Sequence, residues 1–476
     1  MSVLPVHGRL SDPELLFHPE READKDRHPL NGLLRFGPFS RSIISAVLDP
    51  IRVCVVAPSG DAGQVKGLVR ELERQHRPRE RLSYLVDFPG FARVFGVAAV
   101  LAEDGANIEI PSTVDEQLLE AERPHLVLAE QLTRALSALR NQRTHFDVAL
   151  LYLPIRWANA FYGGEGDDFD LHDHLKAISA AHGVPLQIVR EDKAIAYPCR
   201  CSVMWRLGIA LYCKAGGIPW TLAGGDAGTA YIGIGYALRQ GRELTDRFVT
   251  CCSQVFDAGG IGLEFILYEP SDLRMEGENP FLSRSDMRKL MARSLQLYQR
   301  KRAGRAPNRV VVHKSTSFTR DEVEGCFDAW RPSGEIDLVH VQQDVFWRGV
   351  KIDPPRDNKS RGIPSSYPCE RGTYLPIGTR EVLLWTQGNL PEVAGGRNFY
   401  KEGKAIPSPL LLERSAGHGP WDDVCWDVLG LSKMDWNNDG PYDRLPVTLR
   451  YAGVLARIVK RMPELGRGPY EFRFFM

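Results

Sequence analysis

The run Phe146-Asp147-Val148-Ala149-Leu150-Leu151-Tyr152-Leu153-Pro154 leaves no side of an extended strand for water, and a proline closes it. A half-exposed strand alternates apolar and polar residues, whereas one buried on both faces reads as a continuous apolar stretch. The run therefore predicts a central parallel strand, with helices covering both faces of its sheet. The flanking sequence offers them. Ile51 to Val56 is a second strand, ended by Ala57-Pro58-Ser59-Gly60, and a charged helix follows through Arg74. Asn107 to Ile110 is a weaker strand and Leu128 to Leu139 is helical. The loop from Gly163 to Asp170 leads into a helix carrying His172, Lys176 and Ile178, which Gly183 stops. A strand from Pro185 to Val189 and a long helix from Ser202 to Cys213 complete an α/β unit.

Gly216-Gly217-Ile218-Pro219-Trp220 interrupts this alternation and places a domain boundary near 215–220. Three strands follow in hairpin order, Tyr231–Leu238, Phe248–Phe256 and Gly262–Tyr268, the last two separated by the turn Asp257-Ala258-Gly259-Gly260. Ser285 is the expected N-cap of a helix whose apolar residues Met287, Leu290, Met291, Leu297 and Tyr298 share a face. Val310–His313 is the next strand, and Thr319-Arg320-Asp321-Glu322 is a capping box. Three consecutive antiparallel strands, then helix and strand, open an RNase H-like fold. Residues 1–40, rich in proline and charge, read as an extended lead-in.

At 476 residues, 43% apolar and 25% charged, the chain has the composition of a soluble protein of two or three domains. No apolar stretch is long enough to span a bilayer and the N-terminus lacks the order of a signal peptide, which points to the cytoplasm and away from membranes. The nine cysteines form no CxxC pair; they read as reduced thiols, with Cys251-Cys252 inside a strand. Net charge is zero, yet nine Lys or Arg lie between Phe281 and Val310 against the single acid Asp286, and a second basic stretch runs from Arg444 onward. Such runs are the solvated faces of helices unless something else singles them out.

In a two-metal nuclease built on RNase H-like strands, clustered carboxylates hold the two ions that activate water and stabilise the leaving oxygen. Here the first strand reads Tyr231-Ile232-Gly233-Ile234-Gly235-Tyr236 and the fourth Val310-Val311-Val312-His313-Lys314-Ser315, with no acid in either. Together with His28-Pro29-Leu30, Gly37-Pro38-Phe39, Lys214-Ala215-Gly216-Gly217-Ile218-Pro219-Trp220 and Phe318-Thr319, these segments resemble the Argonaute family, specifically its short prokaryotic members composed of a MID and a PIWI domain. The resemblance spans about residue 30 to the C-terminus. It implies an α/β protein with a Rossmann-like MID domain over residues 41–215 and an RNase H-like PIWI domain over 216–476. Active relatives carry Asp where this chain has Gly235 and Ser315, and Asp or His where it has Gly453, within Tyr451-Ala452-Gly453-Val454-Leu455-Ala456. The position of the family's loop glutamate is not located. If the strands were misaligned, Asp226, Asp257 or Asp344 would be the alternative acids, with Asp226 reading as ordinary turn chemistry.

The resemblance also implies a pocket for a guide's 5′-phosphate, formed by His172, Lys176, Gln187 and Lys214. The first two stand at i and i+4, on one helix face, and charge-assisted bonds are what a desolvated phosphate requires. Some relatives add a divalent ion between the guide phosphates and the C-terminal carboxylate; carried over, Gln187 and Met476 would supply oxygen ligands to Mg²⁺. By the same resemblance the chain binds a guide, expected to be RNA, and recognises complementary single-stranded DNA by base pairing. It would not cut; its output would pass through a separate APAZ-containing effector, sirtuin-like first and TIR next, that depletes NAD. Two other readings stand beside it: an active guide-directed nuclease with displaced acids, and a nucleic-acid-binding module independent of guides. Trp205-Arg206 and Trp347-Arg348 are stacking pairs or core residues.

Overall fold

The computed structural model describes residues 7–43, 47–240, 247–277, 279–330, 334–355, 362–403, 405–461 and 470–476; side chains of 238–254 and 263 lie outside this description. Residues 7–40 are not an extended lead-in. They form β1 (Gly8–Arg9), β2 (Leu15–Leu16), β3 (Lys25–Asp26) and α1 (Pro29–Phe36). His28 caps α1, its imidazole nitrogen accepting from the Leu30 and Asn31 amides, and Pro29 occupies the first turn where no N–H is needed.

The continuous apolar run is β7 (Val148–Leu153), every residue of it buried. It lies in a parallel sheet of order β5 (Ala99–Leu101), β4 (Ile51–Pro58), β7, β8 (Leu186–Arg190), with β6 (Ile108–Ile110) also on β4. Val148, Leu150 and Tyr152 join one apolar cluster while Ala149, Leu151 and Leu153 join another, so alternate side chains fill cores on the two faces. Helices α2 (Ala62–Glu71), α3 (Phe91–Phe95), α4 (Thr113–Glu120), α5 (Pro124–Arg140), α6 (Leu171–His182) and α7 (Arg200–Lys214) complete this half. Asp170 caps α6, and Gly183, in the left-handed region at φ 64°, ends it.

After β9 (Thr221–Leu222), which pairs with β2, the chain builds a ten-stranded mixed sheet. Its centre is β10 (Thr229–Gln240), antiparallel to β11 (Arg247–Phe256) and parallel to β15 (Arg309–Lys314), with β12 (Gly262–Tyr268) beyond β11. The expected hairpin series is therefore present. Cys251 and Cys252 fall in β11, their side chains outside the described residues; the seven cysteines whose side chains are described are unpaired thiols. A small ribbon of β13 (Leu273–Glu276) and β14 (Asn279–Leu282) precedes α8 (Arg284–Lys301). Ser283, not Ser285, caps α8: its hydroxyl accepts from the Asp286 amide. The two serines are two residues apart and only one reaches that amide. The capping box at Thr319 and Glu322 opens α9 (Arg320–Ala329) as expected.

The sheet continues through β16 (Glu335–Gln342), and a two-stranded ribbon, β17 (Ile352–Asp353) with β18 (Ile363–Pro364), stands apart from it. Then come β19 (Thr373–Pro376), β20 (Glu381–Leu384), β21 (Leu410–Ala416), α10 (Trp421–Leu431), α11 (Val447–Val459) and β22 (Tyr470–Glu471). The outermost strand on the β19 side is β1, pairing Gly8 with Tyr374. Phe472, Phe474, Phe475 and Met476 are buried in the cluster that also holds Val53, Leu211 and Tyr231, so the tail is wedged between the two sheets' cores.

The basic run is largely neutralised by acids from other elements. Arg284 pairs with Glu324 and Asp328, Arg300 and Lys301 with Glu264, Arg302 with Asp257, and Arg309 with Asp337 and Asp427.

Candidate nucleic-acid interface

Helix α6 turns Lys176 inward and α7 ends on Lys214, and both side chains are buried. Their ammonium groups meet at one atom. Lys214 Nζ donates to the Met476 main-chain oxygen at 2.6 Å; Lys176 Nζ donates to the same oxygen and, at 2.9 Å, to the Leu186 carbonyl. His172 and Gln187 are elsewhere. His172 is exposed beside Asp173, and Gln187 donates to the Ile188 carbonyl at 3.0 Å. Both line a neighbouring cleft of about 290 Å³, together with Arg190, Lys193, Arg206 and Asn437. Of the four residues in the expected pocket, then, two form a buried cationic pair and two a surface cleft that begins one residue beyond Leu186. The i and i+4 spacing fixes a shared face; it does not fix depth.

Arg206 was legible only as half of a Trp-Arg pair. That pair divides: Trp205 is fully buried and donates to the Val86 carbonyl at 2.9 Å, while Arg206 reaches the cleft and lies 5.4 Å from the centre of the Tyr197 ring. Arg190 is a weaker anion donor because its Nε and Nη2 both donate to Asp192 at 3.0 Å.

Burial works against two adjacent ammonium groups. It pushes Lys214 down to about 8, and burial together with the facing Lys214 holds Lys176 well below the usual lysine range. An anion in contact with both would restore their charge. The expected Mg²⁺ fits this arrangement poorly. Gln187 lines the surface cleft, and the buried Met476 oxygen already accepts from two cations, which would repel a third. Asp170, His172 and Asp173 come within ligand distance of one another, but Asp170 caps α6 and Asp173 is ion-paired to Arg457 at 3.2 Å.

The three positions where carboxylates would hold metal are unlike one another. Gly235 lies under α11, where an added Cβ would stand 2.9 Å from the Ala452 Cβ and 3.1 Å from its carbonyl oxygen. Ser315 is exposed at the end of β15, and a Cβ at Gly453 meets nothing within 4 Å. Gly235→Asp is accordingly expected to cost about 2–4 kcal/mol by overpacking and carboxylate burial. Ser315→Asp and Gly453→Asp are expected to stay within about 0.5 kcal/mol of the parent chain. Urea unfolding of the three variants checks this; equal stability for all three would mean that α11 yields readily. The alternative acids are otherwise engaged or isolated. Asp226 accepts from the Gly228 amide in its turn, Asp257 binds the Ile261 amide and Arg302, and Asp344 is exposed on a loop.

Solved structures share this fold. Clostridium butyricum Argonaute, bound to a guide DNA and a 19-mer target DNA, superposes with a TM-score of 0.67 at 14% identity, over 99% of this chain and 55% of that one. The chain has an Argonaute fold. Aquifex aeolicus Argonaute gives 0.61 at 14% identity, and the same protein with externally bound siRNA gives 0.63 at 16%, each over 98% of this chain. This chain spans only about half the length of these Argonautes, 55–56% of each. No protein-family model matches the sequence, and no curated protein does. Within the Argonaute fold, the parallel sheet corresponds to the MID unit and the ten-stranded sheet to the RNase H-like PIWI unit. No helix among the described residues is long and apolar enough to cross a membrane.

Proposed function

We propose that the chain is a guide-binding short Argonaute that does not itself cut nucleic acid. The observation that carries this is the convergence of Lys176 and Lys214, both buried, on a single oxygen beside a cleft with Arg206 at its wall. A 5′-phosphate is the anion such a pair suits, and the strand behind it is a guide, RNA by preference, pairing with single-stranded target DNA. The solved neighbours support this reading, one holding guide and target DNA and another an siRNA. The absence of acids at Gly235, Ser315 and Gly453 supports inactivity. So does the packing at Gly235, which leaves no room for a side chain.

A binder without chemistry needs another polypeptide to act. We assign that role to an APAZ-containing effector, sirtuin-like or TIR, which target recognition would switch on to deplete NAD in defence against invading DNA. Mg²⁺ at the guide end belongs to this reading, with the guide's own phosphates among its ligands. Guide-independent binding through the basic run is the weaker reading, because most of those side chains are already paired with acids. Titrating the full chain with 5′-phosphorylated and 5′-hydroxyl oligonucleotides of one sequence, RNA and DNA, tests the proposal. The phosphorylated strand is expected to bind at least about tenfold more tightly, and equal affinities would overturn it.

A further inference from the structure

Arg206, half-buried on α7, closes a ring of side chains drawn from both halves of the chain. Its guanidinium carbon lies 5.4 Å from the centre of the Tyr197 ring, and the Tyr197 hydroxyl donates to Glu80 at 2.8 Å. Glu80 stands 3.7 Å from Arg81 Nε, and Arg81 in turn donates to Asp439 at 3.2 Å. Asp439 completes the circuit, 4.0 Å from Arg206 Nε. This carboxylate is buried and also accepts from the Ser202 hydroxyl at 2.8 Å. Glu80 and Arg81 precede α3, Tyr197 precedes α7, and Asp439 comes from the loop between α10 and α11. Arg81 sits in the left-handed backbone region at φ 53°, a conformation that a residue with a side chain keeps only where its surroundings over-determine it.

The ring engages the flat face and the Nε of Arg206. Among the described residues, its side-chain hydrogen bond is the one from Nε to the Ser202 carbonyl at 3.3 Å, and its two terminal amino groups make none. The other cations lining the cleft are placed differently: Arg190 is forked onto Asp192, and Lys193 lies 3.7 Å from the same acid. A guanidinium fixed in a cleft with both amino groups unbonded matches two oxygens of a phosphate, and little freedom is left to lose when it binds. That phosphate is not the terminal one. Lys214 ends the same helix eight residues on, about 12 Å further along its axis, and is buried against the Met476 oxygen. A 5′-phosphate at the lysines leaves Arg206 to the next part of the strand.

We propose that Arg206 binds an internucleotide phosphodiester of the guide near its 5′ end, and that Asp439 is the positioning residue that fixes Arg206 through the ring. The inference rests on the guide-binding reading and names a contact in the same site distinct from the lysine pair. Since the ring joins both halves of the chain, it ties this contact to their junction.

The test uses the full chain and 5′-phosphorylated oligonucleotides in which each linkage near the 5′ end is replaced in turn by a neutral methylphosphonate. Wild type is expected to lose affinity about tenfold or more at one linkage. Arg206→Ala is expected to lose about as much on the unmodified strand, to be indifferent to that one neutral linkage, and to respond to the others as wild type does. Asp439→Asn is expected to lose part of that factor, and to add nothing in a chain that already carries Arg206→Ala. Arg206→Ala that binds the unmodified strand like wild type, or that is weakened equally on every strand, overturns the contact. Asp439→Asn that weakens binding by the same factor with and without Arg206 overturns the positioning role and makes Asp439 a clamp of the fold alone. Wild-type affinity that prefers the 5′-phosphate yet ignores every neutral linkage overturns the proposal while the guide reading stands; no preference for the 5′-phosphate sinks both.

Discussion

Replacing Lys176 and Lys214 together by methionine is expected to weaken binding of a 5′-phosphorylated guide by about 10²–10⁴-fold and to leave a 5′-hydroxyl guide nearly unchanged. Each lysine would contribute a charge-assisted hydrogen bond of about 1.5–3 kcal/mol to the phosphate, and methionine keeps most of the buried volume. The pair also makes binding depend on pH. Without an anion, burial holds Lys214 at about 8 and Lys176 below its usual range. A phosphate between them raises both, so binding takes up protons. Affinity for the phosphorylated guide therefore falls as pH rises through about 8, while the hydroxyl guide shows no such loss. Equal effects of the double substitution on both guides, or a pH-independent difference between them, would remove the lysines from the guide site.

The sequence carried the residue types of this site better than its shape. The family resemblance singles out Lys176 and Lys214, but the oxygen on which they meet belongs to a residue 300 and 262 positions away. No local pattern reports such a contact. His172 shares a helix with Lys176, and only the tail packed beneath α6 decides that one is exposed and the other buried. At Gly235 the sequence shows a missing acid, and the structure adds that Ala452 of α11 fills the space it would need.

Elements defined by their own periodicity were legible: the two-face burial of β7, the meander of β10, β11 and β12, the glycine stop of α6 and the capping box of α9. Two kinds of feature were not. The acids that neutralise the basic run come from β12, the turn before it, α9, β16 and α10, so the run looks like a bare patch in one dimension. Residues 7–40 pair in strands of two residues, too short for any alternation to show, with partners such as Tyr374 and Leu222 far along the chain.

Asp12, in that same segment, is where a single substitution is expected to cost the fold most. Its carboxylate is fully buried between Arg371, whose Nε donates to it at 2.7 Å, and Lys433, which donates to the other oxygen. The two cations are otherwise satisfied by neutral groups: Arg371 by the Leu429 carbonyl, the Ser432 hydroxyl and the face of Tyr442, Lys433 by the carbonyls of Pro13 and Arg27. Asp12→Ala would leave two buried positive charges with no counter-ion, a loss of about 3–5 kcal/mol. By contrast, Glu14→Ala removes only a part-exposed pair with Arg27 and is expected to cost less than about 1 kcal/mol. Burial alone would raise the Asp12 pKa, but Lys433 and Arg371 outweigh it and hold the carboxyl below its usual value. Its contribution is therefore complete above about pH 4 and is lost only as pH falls further. Trp220, whose indole donates to the Lys433 carbonyl at 3.1 Å, places a fluorophore at this junction. Urea unfolding followed by tryptophan fluorescence should show the midpoint fall sharply for Asp12→Ala and hardly at all for Glu14→Ala. Similar midpoints would mean that the first forty residues are draped over the sheet and not clamped to it.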